Sequence, residues 1–145
     1  MTQTQIRRIA RDIKRITGVN FLEKRRDTRY VEGRAFFIHI LKHYYKFRNK
    51  DIIITFNDLG FKLDSATLCH SLKMFEIYEH NNPRMQSWFD VLFAAPDYKN
   101  RDKTQAYIRS KLKYLPEETL IKLAGQIKVM IENPELEAEN VEFHW

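Results

Sequence analysis

Apolar residues recur along this chain at intervals of three and four positions, the spacing of a helix with one buried face. The pattern is clearest over 6–16, where isoleucines alternate with basic residues, and Gly18 follows as a predicted C-cap. A second, longer helix is predicted over about 28–45. Gly33 lies inside it, and a glycine at such a position is typical of a close approach by another backbone.

The segment 51–56 has an ambiguous pattern. Its run Ile-Ile-Ile-Thr would suit a strand, but no second segment of the chain reads as a partner strand. We therefore predict a helix that ends at Leu59-Gly60, followed by a helix that Asp64 or Ser65 caps and that runs to about 79. Two helices joined by a short turn containing glycine form a helix-turn-helix.

The second half of the chain repeats the helical pattern. Helices are predicted over about 85–93, over about 103–114, and from Pro116 to just before Asn133. The predicted fold class is all-α. Its predicted parts are a helix-turn-helix domain over 1–80, a helical extension over 81–134 and an acidic tail over 135–145.

Charge is distributed unevenly along the 145 residues, whose net charge is +6. Residues 1–50 hold 14 Lys and Arg against four Asp and Glu, whereas residues 51–145 have a net charge of −4. A basic half of this kind predicts a polyanionic partner, and nucleic acid is the first candidate.

Several classes of protein are excluded by the sequence. No apolar run reaches 18 residues, so no membrane span is predicted. The basic N-terminal segment lacks the apolar core of a signal peptide, and the single cysteine, Cys69, excludes an internal disulfide and a Cys-rich zinc site. We expect a cytoplasmic protein without a metal or cofactor. No nucleophile with a neighbouring base is visible, so we do not expect an enzyme.

Three features within 1–80 point to double-stranded DNA. A basic cluster precedes the long helix and suits a narrow minor groove. Cations on that helix and beyond it are placed to contact phosphates, and small polar residues open the second helix of the pair, where a recognition helix meets the major groove. The candidate contacts are Lys24, Arg25, Arg26, Arg29, Arg34, Lys42, Lys46, Asp64, Ser65, Ala66 and Thr67.

This order of parts resembles the C-terminal DNA-binding domain of the bacterial replication initiator DnaA, a TrpR-like helix-turn-helix, over roughly residues 5–80. Lys24-Arg25-Arg26 stands at the basic loop of that family, and Val31-Glu32-Gly33-Arg34 resembles the start of its long helix. Leu59-Gly60 resembles its Phe-Gly pair. The stretch Asp64-Ser65-Ala66-Thr67-Leu68-Cys69-His70 resembles its signature.

The resemblance implies a role for individual residues. Arg26 would read the minor groove, Arg34 and Lys42 would lie near the DNA backbone, and Asp64 and Thr67 would face the major groove. The sequence departs from the family in three places. Ser65 replaces the first signature histidine, Leu63 replaces the preceding arginine, and the segment between Lys42 and Asp64 is a few residues longer than the family's. Lys62 could take the place of that arginine through a one-residue insertion, and it joins the candidate contacts.

The predicted function is double-stranded DNA binding in replication initiation or transcriptional regulation, in a bacterium, plasmid or phage. The chain has no Gly-x-x-x-x-Gly-Lys-Ser/Thr loop, so no ATPase activity is expected. The alternative is a protein-interaction or structural helical module, with a protein partner or a second copy bound through 83–131. An open patch formed by Trp88, Phe89, Leu92 and Phe93 would favour that alternative.

Several residues allow two interpretations. Asp64 is expected to cap its helix, and a base contact by the same side chain is equally compatible with the sequence. For His70 we favour a core or hydrogen-bonding role over DNA reading, and for Cys69 a buried, inert thiol. His39 and His43 have the spacing of metal ligands but lack a third ligand, which favours a structural role.

Overall fold

The computed structural model describes residues 1–95 and 99–132, and in these residues every regular element is a helix. The seven α-helices are α1 (Gln3–Thr17), α2 (Thr28–His39), α3 (Asn49–Asp58), α4 (Ser65–Asn81), α5 (Arg84–Leu92), α6 (Arg101–Leu112) and α7 (Glu117–Glu132). The prediction of an all-α protein is confirmed. The predicted acidic tail over 135–145 lies outside the described residues.

Helix α1 ends at Gly18, as its sequence predicts. A reciprocal capping box opens it, because the Thr2 hydroxyl accepts from the Gln5 N–H at 3.2 Å and the Gln5 side chain accepts from the Thr2 N–H at 2.8 Å. Gly18 ends the helix with a φ of +75°, a conformation that glycine adopts without strain. Ile9 and Ile13 are buried on the stripe that faces the core.

The long helix predicted over 28–45 is present, but its hydrogen bonding changes near the end. Helix α2 passes into a π-helical turn at Ile40–Tyr44, where the Tyr45 N–H donates to the Ile40 carbonyl at 3.1 Å. Lys46 follows with a φ of +61°. A π turn adds about one residue to a turn, so the apolar spacing in the sequence hardly registers it.

The segment 51–56 is helical, as predicted, and lies within α3. Gly60, with a φ of +89°, stands in the connection that follows. The Asp64 carboxylate accepts from the Thr67 N–H at 2.7 Å and caps α4, which confirms the predicted cap. Helices α3 and α4 therefore form the predicted pair joined by residues 59–64.

Residues 1–110 form one compact unit with a shared core. Helix α5 belongs to this core, since the Phe36 ring lies edge-on to Trp88 and Phe89, with centroids 5.5 and 4.9 Å away. Phe89 and Phe93 are only 5% and 4% exposed. Trp88, Phe89, Leu92 and Phe93 therefore pack in or against the core instead of forming an open patch, whereas Val91 is exposed. The predicted division at residue 80 falls inside this unit.

Residues 111–145 form the second unit, which the structure describes as far as Glu132. Its helix α7 buries no residue. The large apolar side chains that it exposes are Leu120, Ile121, Ile127, Val129 and Ile131. None of the helices in the described residues is both long enough and apolar enough to cross a membrane.

Candidate nucleic-acid interface

The predicted basic cluster lies on a loop between α1 and α2, and its side chains are exposed at Lys24, Arg25 and Arg26. Arg25 is held within the protein. Its guanidinium forms an ion pair with Asp27 at 2.7 Å and lies over the Tyr30 ring, 4.7 Å from the centroid. Arg26 forms no ion pair or side-chain hydrogen bond with any described residue, so its guanidinium is available to a partner.

Arg34 holds this loop in place. Its guanidinium donates to three loop carbonyls, those of Phe21 at 3.0 Å, Glu23 at 2.9 Å and Arg25 at 2.7 Å. Partial burial lowers the pKa of Arg34, although an arginine remains protonated in proteins. The structure thus gives Arg34 contacts inside the protein, and the phosphate contact expected from the sequence stays a prediction.

Arg34 also joins the basic loop to the connection between α3 and α4. Its guanidinium lies over the ring of Phe61, 5.0 Å from the centroid, and Phe61 belongs to the connection between α3 and α4. The Phe61 ring in turn meets the Phe56 ring, with a centroid separation of 5.7 Å. Lys62 and Asp64 are exposed just beyond this contact. The fold therefore brings the loop at 24–26 close to the start of α4.

A further group of cations, on α1, borders the same region. Arg7, Arg11 and Lys14 line a groove of about 340 Å³ together with Leu22 from the basic loop and Leu59 from the α3–α4 connection. Sequence reasoning left these three cations out of the candidate contacts. Their spacing of four and three residues, which places them on one helical face, was the available signal.

The exposed face at the start of α4 carries the small residues that the sequence singled out. Ser65, Ala66 and Thr67 are all exposed. The expectation that Cys69 is buried is wrong, and so is a core position for His70, since both are exposed. The reason is helical phase. Leu68 and Phe75, seven residues apart, turn the opposite face of α4 into the core.

Asp64 can be tested by two substitutions that separate its cap from its charge. The hydrogen bond from the Thr67 N–H lowers the pKa of the Asp64 carboxyl. We expect D64A to lower the melting temperature, because it leaves that N–H without its acceptor. We expect D64N to melt close to the unchanged protein and to bind duplex DNA at least as tightly, because it keeps an acceptor and removes a negative charge.

Thermal melting and fluorescence anisotropy with a labelled duplex measure the two effects. Equal melting of D64A and the unchanged protein would contradict the cap. A loss of sequence preference in D64N with unchanged melting would assign the carboxylate to a base.

Three other predicted contacts do not line the α1 groove. The Lys42 ammonium donates to the Asn49 side chain at 2.8 Å, near the start of α3. Lys46 lines a neighbouring depression with Asp51, and Asp58 borders both that depression and the α1 groove. Arg29 lines a cavity on α1, α2 and α5. The structure therefore groups the basic loop, Lys62 and the start of α4, and it places Lys42, Lys46 and Arg29 outside the lining of the groove.

His39 and His43 lie side by side, with ring centroids 4.5 Å apart. His39 also stacks on the Phe75 ring at 3.7 Å, which ties α2 to α4. In the part of the chain that the structure describes, no group of three or more His, Cys, Asp or Glu residues is arranged to hold a metal ion. The observed contacts of His39 are those of packing.

The basic loop, the α1 groove and the exposed start of α4 together form a largely basic surface. The start of α4 is the polar part of this surface. We call this the basic surface; Asp58, in the groove lining, and Asp64 are acidic residues within it. Clustered lysine and arginine side chains attract a polyanion and release the counterions bound to it.

Comparison of the chain with protein-family models, with curated proteins and with solved structures finds no match.

Proposed function

We propose that this chain binds double-stranded DNA through the basic surface. The observation that carries the proposal is the position of Arg34, which bonds three carbonyls of the basic loop and also lies over Phe61 of the helix-turn-helix connection. A protein that contacts adjacent minor and major grooves needs its two DNA-contacting elements at a fixed separation. The half-buried Arg34 side chain, which contacts both elements, supplies such a constraint.

Each part of the basic surface then has a role. Arg26 enters the minor groove, where the negative potential is strongest, and the exposed start of α4 enters the major groove. Lys24, Lys62 and the α1 cations Arg7, Arg11 and Lys14 contact phosphates. Arg34 acts as a positioning residue that holds the loop.

The process served by this binding is replication initiation or transcriptional regulation. This part of the proposal rests on the resemblance to the DnaA C-terminal domain, with Lys24-Arg25-Arg26 as the basic loop and Asp64 to His70 as the signature. The sequence lacks a phosphate-binding Gly-x-x-x-x-Gly-Lys-Ser/Thr loop, so the proposed activity is DNA binding without ATP hydrolysis.

Replacing Arg26 with alanine is expected to weaken duplex binding by about tenfold. The slope of log affinity against log salt concentration is expected to become shallower by about one, because the variant lacks one cation that displaces counterions from the DNA. Fluorescence anisotropy at several salt concentrations measures both quantities. R101A is the matched control, since Arg101 is an exposed arginine on α6, and it is expected to bind like the unchanged protein.

Selection from a pool of random duplexes at moderate salt tests sequence reading. Enrichment of a motif supports groove recognition by α4, and we expect that motif to change when Thr67 is replaced by alanine. An R26A variant with unchanged affinity and unchanged salt slope would sink the assignment of the loop. Absence of duplex binding by the unchanged protein would sink the proposal.

A second candidate function, association between two copies of the chain, is favoured by α7. Its residues Leu120, Leu123, Ile127 and Met130 recur at intervals of three and four, the spacing of a helix–helix seam. Ile127 is 43% exposed, although it lies at the centre of that seam. We expect I127E to turn a dimer into a monomer in sedimentation equilibrium, and V129E, on another face, to leave the dimer intact. A monomeric unchanged protein would contradict this candidate.

A further inference from the structure

A cavity of about 640 Å³ lies within the first compact unit, away from the groove of the basic surface. Its wall is built from the end of α1, the first two turns of α2, the junction of α4 with α5 and the outer face of α5. Sites for small molecules measure about 300–1,000 Å³, so this cavity has the volume of a small-ligand site.

Three arginines from three different elements line this cavity: Arg15 at the end of α1, Arg29 on α2 and Arg84 at the start of α5. Arg29 and Arg84 form no ion pair with any described residue. Arg15 has a partner in Asp12 at 3.4 Å, an exposed pair whose contribution is small. The guanidinium groups of Arg29 and Arg84, which lack carboxylate partners among the described residues, suit a phosphate, which each can bind with two parallel hydrogen bonds.

The acidic residue in the wall is already engaged. Glu32 is 7% exposed, and its carboxylate accepts from the Asn82 side-chain amide at 2.6 Å. The carbonyl oxygen of the same amide accepts from the backbone N–H of Arg84 at 3.1 Å. Asn82 therefore ties α2 to the start of α5 and fixes the wall that carries Arg84. A cavity held in one arrangement loses less entropy when a ligand binds.

Trp88 supplies an aromatic surface in the same wall. Its indole is half-buried, and it lies edge-on to Phe36, which is fully buried. The ring is therefore held by the core on one side and borders the cavity on another. An indole beside three guanidinium groups matches a ligand that combines a planar ring with phosphate.

We propose that this cavity binds a small organic phosphate of nucleotide size, with its phosphate at Arg15, Arg29 and Arg84 and its planar ring beside Trp88. The site is separate from the basic surface and does not depend on DNA binding. It gives Arg29, one of the DNA contacts expected from the sequence, a different role.

The two tryptophans of the chain allow a direct measurement. A W145F variant leaves Trp88 as the reporter. Titration with AMP, ADP or inorganic phosphate is expected to change the Trp88 fluorescence saturably, with AMP and ADP binding at least tenfold more tightly than inorganic phosphate. Calorimetry on the unchanged protein with the same three compounds provides a second readout.

Variants of the wall test the assignment of the arginines. R84A and R29A are expected to weaken AMP binding about tenfold each, whereas R101A, with an exposed arginine on α6, is expected to bind AMP unchanged. Melting curves of each variant verify that it is folded.

Three outcomes would overturn the proposal. One is the absence of saturable binding in both readouts, and the second is equal affinity for AMP and inorganic phosphate. The third is competition between a short duplex and AMP, because the arginines would then belong to the DNA-binding surface.

Discussion

Replacing Arg34 with alanine is expected to lower the free energy of unfolding by about 3 kcal/mol, since hydrogen bonds from a charged donor contribute about 1.5–3 kcal/mol each and do not add fully. Three carbonyls, those of Phe21, Glu23 and Arg25, lose their donor together. The Phe61 ring also loses the guanidinium above it. Urea denaturation followed by circular dichroism measures the change.

R34K is the matched variant for charge. A lysine keeps the positive charge but carries a single ammonium, which cannot span three carbonyls in the way a planar guanidinium does. We expect R34K to be destabilised nearly as much as R34A. Full stability in R34K would contradict the carbonyl contacts as the source of the effect and would assign it to charge alone.

The same residue separates positioning from direct contact with DNA. If Arg34 acts by holding the loop that carries Arg26, then R34A weakens duplex binding mainly by releasing Arg26. The double variant R26A/R34A is then expected to bind scarcely more weakly than R26A alone. Additive losses in this cycle would show that Arg34 contacts DNA independently. All three variants are compared under conditions where each is folded.

The sequence predicts helices well where local chemistry decides them. Gly18 and Asp64 end and begin helices through contacts within four residues, and the isoleucine stripe of α1 needs only its own periodicity. The helical state of 51–56 was predictable from the absence of a partner strand. The π-helical turn at Ile40–Tyr44 was not, because it depends on backbone hydrogen bonds that leave the apolar spacing almost unchanged.

The candidate site was predictable only in part. A cluster of cations such as Lys24 and Arg26 is visible in the sequence. The contact between Arg34 and Phe61 is not, because it joins residues 27 positions apart. Periodicity shows that α1 has a basic face but does not show which neighbour that face borders, so Arg7, Arg11 and Lys14 were missed. The exposure of Cys69 and His70 follows from the helical phase that the buried residues Leu68 and Phe75 set. Other apolar residues lie between these two, so the sequence did not show which face of α4 is buried.

Gly33 gives the second large effect, and its sign distinguishes tertiary packing from helix propensity. An alanine in a helix interior is favoured over glycine by about 1 kcal/mol when nothing surrounds it. At Gly33 an added Cβ would stand 2.9 Å from the Cβ of Phe21 and 3.7 Å from a methyl carbon of Val19. Phe21 is fully buried, and its ring lies against Phe37 with centroids 5.2 Å apart, so it has no room to retreat.

We therefore expect Gly33→Ala to lower the free energy of unfolding by about 1–3 kcal/mol, the usual effect of overpacking. Gly125→Ala is the control, because Gly125 lies in α7 with nothing within 4 Å of an added Cβ, and it is expected to cause no loss. Urea denaturation of both variants provides the comparison, and a stabilised G33A would contradict the close approach. The Phe21 carbonyl also accepts a hydrogen bond from Arg34. A displaced Phe21 is therefore expected to weaken this bond, which holds the basic loop. G33A is therefore expected to weaken duplex binding while every cation of the basic surface is still present, which a model based on charge alone does not predict.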